Sequence, residues 1–122
     1  MSAPVVAIIL DLFFAVKVQA AAKQSGLVLK MAGTADAAAK LLGEGASLLV
    51  VDLNCREVDT VALIRGVKGD PELRRIPVLG FVSHVQVDRK AAAEQAGCDR
   101  VVARSVFSDR TAGLLGEMAA AG

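Results

Sequence analysis

At 122 residues the chain is long enough to bury a core and too short for a second one, so residues 1–122 read as a single domain. Apolar residues make up 54% and aromatics 3%, with no Trp or Tyr, so the core has to come from Val, Leu, Ile and Ala, and no platform is offered for stacking bases. Fourteen basic residues against thirteen acidic ones leave a net charge of +1 without a basic block, which argues against nucleic-acid binding and electrostatic membrane attachment.

The first stretch, Ala3 to Val16, is apolar enough to resemble a signal sequence. It lacks a basic start, is too short to span a bilayer and carries Asp11 in its middle, so it reads as a core strand running into a helix. Pro4 to Leu10 is that strand, a continuous β-branched run ending at Asp11. Phe13 to Ser25 has helical spacing and closes on Gly26, which suits a left-handed C-cap. Leu27 to Met31 reads as a second strand, and Thr34 caps a helix running to about Leu42.

Ser47 to Val51 is apolar or small without alternation, the signature of a strand buried on both faces of a parallel sheet, and it ends on a carboxylate, Asp52. A polar loop follows, then a helix from about Asp59 to Lys68, halted by Gly69-Asp70-Pro71. Val78 to Val82 is the fourth strand, ending at Ser83 and His84; Gln86 to Ala96 is a helix closed by Gly97. Val101 to Ala103 is the fifth strand, and Ser108 is expected to cap a last helix reaching about Ala120.

Five strands alternating with five helices, joined by short crossovers, predict an α/β fold: a three-layer, doubly wound five-stranded parallel sheet of flavodoxin-like type. Ligands in such sheets collect at the carboxyl ends of the strands. Asp11, Asp52, Ser83 with His84, and Arg104 all fall at those ends. No glycine-rich phosphate loop follows any strand, which argues against a nucleotide- or flavin-binding module. Cys55 and Cys98 lack CxxC or metal spacing and read as free thiols in a reducing, cytoplasmic setting, although sequence alone leaves a Cys55–Cys98 bridge open.

Asp52-Leu53-Asn54 followed by Asp59, the segment Ile64 to Phe81 (IRGVKGDPELRRIPVLGF) and the Ala96-Gly97 turn together resemble a response-regulator receiver domain, the phosphoacceptor module of two-component signalling, over essentially the whole chain. The resemblance implies that Asp52 is the phosphoacceptor and that Asp11, Asp52 and the Asn54 carbonyl hold Mg²⁺. It also implies protein partners, a histidine kinase or an output protein, and a switch rather than an enzyme.

Against that pattern, Leu12 replaces the second acid after the first strand, and Val82 takes the place of the hydroxyl residue after the fourth. Arg104-Ser105 replaces the usual Lys-Pro, and Val101 the aromatic that rotates on activation. Ser83 can supply the missing hydroxyl only if the fourth strand bulges. With one carboxylate gone, any Mg²⁺ site should be weak, since this ion demands a near-complete oxygen shell. An Asp11–Arg104 ion pair across the strand ends is the expected substitute. The resulting expectation is a pseudo-receiver working through protein contacts, without a certain cofactor, with a Mg²⁺-dependent phosphoacceptor at Asp52 as the alternative. The Ala-lined fourth helix, Ala91 to Ala93, leaves room for a homodimer.

Overall fold

The computed structural model describes residues 3–83 and 86–121, the last by its backbone alone. The apolar runs become five strands, β1 (Val5–Ile8), β2 (Leu29–Met31), β3 (Leu48–Asp52), β4 (Val78–Val82) and β5 (Arg100–Ala103). Between and after them lie α1 (Leu12–Gln24), α2 (Ala35–Gly43), α3 (Thr60–Gly69), α4 (Val87–Gln95), α5 (Arg104–Asp109) and α6 (Thr111–Ala121). The strands are all parallel in the order β2-β1-β3-β4-β5, the predicted doubly wound, flavodoxin-like sheet.

Each face of the sheet carries its own core. Alternate β1 and β3 residues, with Ala38, Leu42, Ile64, Val67 and Ala93, bury the α2, α3 and α4 side. The other alternate set, with Ala15, Val18, Phe107, Leu114 and Leu115, buries the α1, α5 and α6 side. This two-sided burial is why the strands read as unbroken apolar runs.

Strand order and register place the functional edge. Ile8 lies beside Val51, Asp52 beside Phe81, and Val82 beside Ala103. The residues that leave β1, β3, β4 and β5 therefore emerge as neighbours at the switch point between β1 and β3, where an open α/β sheet leaves a crevice.

Helix ends follow the expected capping chemistry. Thr34 Oγ1 accepts from Ala37 N at 3.1 Å and Asp59 Oδ1 from Ala62 N at 3.0 Å. Gly26 (φ 71°) and Gly97 (φ 106°) adopt the left-handed conformation that closes α1 and α4, with Leu27 N donating to Ala22 O and Cys98 N to Ala93 O.

Three expectations need correction. β1 covers Val5–Ile8 rather than Pro4 to Leu10, and β2 starts at Leu29 because Leu27 is spent on the α1 C-cap. The carboxyl-terminal segment forms two helices, six in all, instead of one capped by Ser108. Arg104 is already helical, which Ser105 permits and a proline at 105 would disfavour. Ser108 lies within α5 and accepts a bond from Lys17 Nζ, and the break at Arg110 is spanned by Thr111 Oγ1 donating to Phe107 O. Both cysteines are buried free thiols, so no Cys55–Cys98 bridge forms.

Two buried positions give measurable consequences. A Cβ at Gly80, in the middle of β4, would sit 2.9 Å from Leu53 Cδ1 and 3.3 Å from Cys98 Sγ. Leu53 is fully buried and has nowhere to go. Gly80→Ala is expected to destabilise the fold by about 1–3 kcal/mol in urea denaturation. Burial also pushes the Cys98 thiol up to about 11 from 9.0, with the Asp99 carboxylate adding to it. Between those values only the unfolded chain gives up the proton, so stability is intact below the lower pH and falls as pH rises through the window. The expected slope is up to about 1.4 kcal/mol per pH unit, and Cys98→Ser should remove it when unfolding is followed across that range.

Candidate functional site

Asp52 ends β3 and is 4% exposed, so its charge has to be met inside the protein. Oδ1 accepts the Asn54 N–H at 2.9 Å, and Oδ2 pairs with Arg104 Nη2 at 2.9 Å. Arg104 opens α5 directly after β5, two strands away. The short crossing from β5 into α5 is what swings its guanidinium back over the tip of β3.

The guanidinium is seated on aromatic rings. Its carbon lies 4.4 Å from the Phe14 centroid and 5.5 Å from that of Phe81, close enough for cation–π attraction. Phe81 stacks on Phe107 at 4.3 Å and 7°, and Phe14 lies 5.4 Å from Phe81. Phe13 meets Phe14 edge-on at 5.8 Å, so all four aromatic residues of the chain gather at this one place. Arg104 Nε is buried without a hydrogen-bond partner, a cost of about 1–3 kcal/mol that the stacking and the ion pair have to offset.

A cavity of about 280 Å³ opens beside the pair, walled by Asp11, Asp52, Asn54, Cys55, Glu57 and Arg104. Asp11 is in it, but the expected Asp11–Arg104 pair does not form. Asp11 is the N-cap of α1, with Oδ1 accepting from Phe13 N at 2.9 Å and Phe14 N at 3.3 Å, and the guanidinium takes the buried acid instead. A buried carboxylate gains more from a cation than an exposed one that is already satisfied.

The other predicted residues divide. Asn54 is present, and its side-chain Oδ1 accepts Ser83 N–H at 2.8 Å, tying the end of β4 to the loop after β3. Ser83 does not line the Asp52 cavity; it borders a separate hollow with Phe14, Arg104, Ser105 and Ser108. β4 pairs regularly through Val82 opposite Ala103, and Val82 is buried, so the bulge that would bring Ser83 to Asp52 is not made. Leu12 is 81% exposed and points away from the cavity wall. His84 lies outside the described residues.

Sequence reasoning missed Glu57, the Asn54 amide clamp and the Phe14 seat. Glu57 was visible as an acid in the loop after Asp52. The other two depend on how loops and α1 cross the sheet.

As arranged, these donors do not fit a Mg²⁺ ion. The Asp52 carboxylate already holds a guanidinium, whose positive charge repels a dication beside it, and Asp11 has one of its two oxygens taken by the α1 amides. Among the described residues no group of three or more His, Cys, Asp or Glu side chains is placed to hold a metal. No described helix is long and apolar enough to cross a membrane.

No family model matches the sequence, and no curated protein sequence matches it. Solved structures do match. The signal receiver domain of a histidine kinase from Syntrophus aciditrophicus superposes with a TM-score of 0.83 at 18% identity, covering 98% of this chain and 91% of that one. Chemotaxis response regulator CheY4 of Vibrio cholerae gives 0.82 at 13% identity, covering 97% and 99%. The Mn²⁺-bound form of response regulator Rcp1 gives 0.74 at 20% identity, covering 92% and 91%. The chain thus has the receiver-domain fold.

The Asp52–Arg104 contact can be weighed by a double-mutant cycle. Arg104→Met leaves a buried carboxylate without its cation and is expected to cost about 1–3 kcal/mol, tempered by the partial exposure of the guanidinium. In the Asp52→Asn background the same change should cost clearly less, and urea denaturation of the four proteins gives the coupling.

Proposed function

We propose that this chain is a receiver-type signalling module of two-component character whose phosphorylation pocket is held shut by an internal cation, and that it acts by binding proteins rather than by turnover. The observation that carries this reading is the 2.9 Å contact between Arg104 and Asp52. A phosphoacceptor carboxylate has to present a free oxygen as nucleophile, with a metal beside it to gather phosphoryl charge. Here one oxygen of Asp52 binds a guanidinium and the other a backbone amide.

The remaining parts agree. Leu12 turns to solvent where the resemblance calls for an acid, Val82 is buried where it calls for a hydroxyl, and Ser83 sits outside the cavity. Arg104 keeps the positive charge of the expected Lys but carries it on a wide planar head stacked on Phe14, which fixes it over Asp52. A charge-balanced pocket then stands in one state. The partners on this reading are the proteins of a phosphorelay, a kinase or an output protein in the cytoplasm.

The alternative, a Mg²⁺-dependent phosphoacceptor at Asp52, draws support from the cavity itself. It keeps about 280 Å³ of space with Asp11, Asp52 and Asn54 on its wall, and the Rcp1 relative is a Mn²⁺-bound receiver. In that case Asp11, Asp52 and the Asn54 carbonyl would hold the ion, and Arg104 and Ser83 would have to swing to the phosphoryl group.

One experiment separates the two. The protein is incubated with millimolar Mg²⁺ and a small acyl-phosphate donor and examined by intact mass, with metal binding followed by NMR shifts of the Asp11 and Asp52 amides. No adduct and no shift are expected for the natural chain, whereas the double variant Leu12→Asp, Arg104→Lys should gain Mg²⁺ binding. A phosphoryl adduct on the natural chain that disappears in Asp52→Asn would overturn the silent reading.

A further inference from the structure

Six large apolar side chains are exposed among the described residues, and three of them lie together on α1: Leu12 at 81%, Phe13 at 72% and Val16 at 65%. Leu12 and Phe13 in the first turn, then Val16 and the exposed Ala20 at successive turns, form a single ridge along the helix, continued by Lys23. α1 contains two lysines and no acid. Lys17 is held by Ser108, and Lys23, exposed and without an ion-pair partner among the described residues, stands at the far end of the ridge.

Across the sheet, on the face that carries α2 and α3, the two helices leave a groove of about 410 Å³ between them. Its exposed apolar lining is small, Ala35, Ala39, Ala62 and Gly66, over the more buried Leu63, Val67 and Leu73. Its charged lining is Asp36 and Asp59 towards one end and Asp70 at the other, and no basic residue borders it. Gly66 lies inside α3, where glycine costs about 1 kcal/mol relative to alanine. Its φ is not left-handed, and a Cβ there would meet nothing within 4 Å, so the fold itself does not require a glycine.

We propose that the α2–α3 groove of one copy of this chain receives the α1 ridge of a second copy. Large side chains on the ridge meet small ones at the groove's exposed lining, and a helix whose charges beyond its Asp11 N-cap are all positive meets a rim bearing only negative charge. The lengths agree as well: Leu12 to Lys23 and Asp59 to Asp70 each span eleven residue steps, about 16 Å of helix. Ridge and groove are different surfaces on opposite faces of the sheet, so the contact is head to tail, and each added copy presents a fresh ridge or groove. Three side chains bury on the order of 400–500 Å² on the ridge side, which makes this a weak, reversible interface. The inference is independent of whether Asp52 accepts a phosphoryl group.

Sedimentation velocity of the whole chain, without Mg²⁺ or phosphodonor, tests it. The weight-average mass of the natural chain should climb steadily from micromolar to millimolar concentration and fall with added salt. Phe13→Glu removes the ridge and Gly66→Leu fills the groove, and each should weaken self-association about tenfold or more. Neither residue touches Asp52 or Arg104, and Gly66→Leu removes a helix glycine, so thermal melts should show both variants folded. Mixed together, they should give a 1:1 pair and nothing larger, because Phe13→Glu keeps an intact groove and Gly66→Leu an intact ridge. A natural chain that stays monomeric throughout overturns the proposal. So does a Gly66→Leu variant that assembles like the natural chain, or a mixture that forms no pair.

Discussion

The architecture of the strand tips depends on one ion pair between a buried carboxylate and a partly exposed guanidinium. Asp52 is carried out of contact with water by β3, and a carboxylate in that position must find a cation, a set of amide donors or a proton. In this chain the cation is supplied from within, by the residue that follows β5. The consequence is geometric as well as electrostatic: the tip of β3 is bonded to the start of α5, across the intervening β4. Loops that would otherwise be free to rearrange around a ligand are joined by a charge-assisted bond, and Asn54 adds a second tie by holding the amide of Ser83.

An arginine can play this part only because something fixes its long side chain. With 3% aromatic residues the chain has few rings to spend, and it spends them here, stacking Phe14, Phe81 and Phe107 beneath and beside the guanidinium. The stack belongs to α1, β4 and α5 together, so the seat of Arg104 is also part of the hydrophobic core on that side of the sheet. The stacking and the ion pair both act on the same guanidinium and hold it over Asp52. A lysine lacks the planar face that stacks, and would leave the carboxylate more open to exchange partners.

Much of this was legible in the residues. Unbroken apolar runs ending in acids located β1, β3 and the crevice, and glycines at 26 and 97 marked helix ends through their left-handed backbone. The Asp59 start of α3 followed from local chemistry, whereas the free state of the two cysteines needed geometry that the sequence lacks. The error over Asp11 came from weighing a long-range pair above a short-range one. An acid placed just before a helix has amides two and three residues ahead, and those are always within reach. The split of the last helix was hidden because it turns on a backbone choice at Arg104 and on the Thr111 hydroxyl, neither of which leaves a periodic signal. The Phe14 seat was hidden for a different reason: which side of α1 faces the β5 exit depends on the angle at which that helix crosses the sheet.

Leu12 connects the site to the surface. The leucine turns outward and is the first member of an exposed apolar ridge with Phe13 and Val16. A single residue type thus accounts for two departures at once, the missing carboxylate at the strand tips and the unusual exposure at the start of α1. Apolar side chains gathered in one stripe at the surface lower solubility and mark that stripe as a contact surface. The Arg104–Asp52 pair at the strand tips and the apolar ridge of α1 therefore meet at the first turn of one helix, where Phe14 faces the guanidinium and Leu12 and Phe13 face solvent.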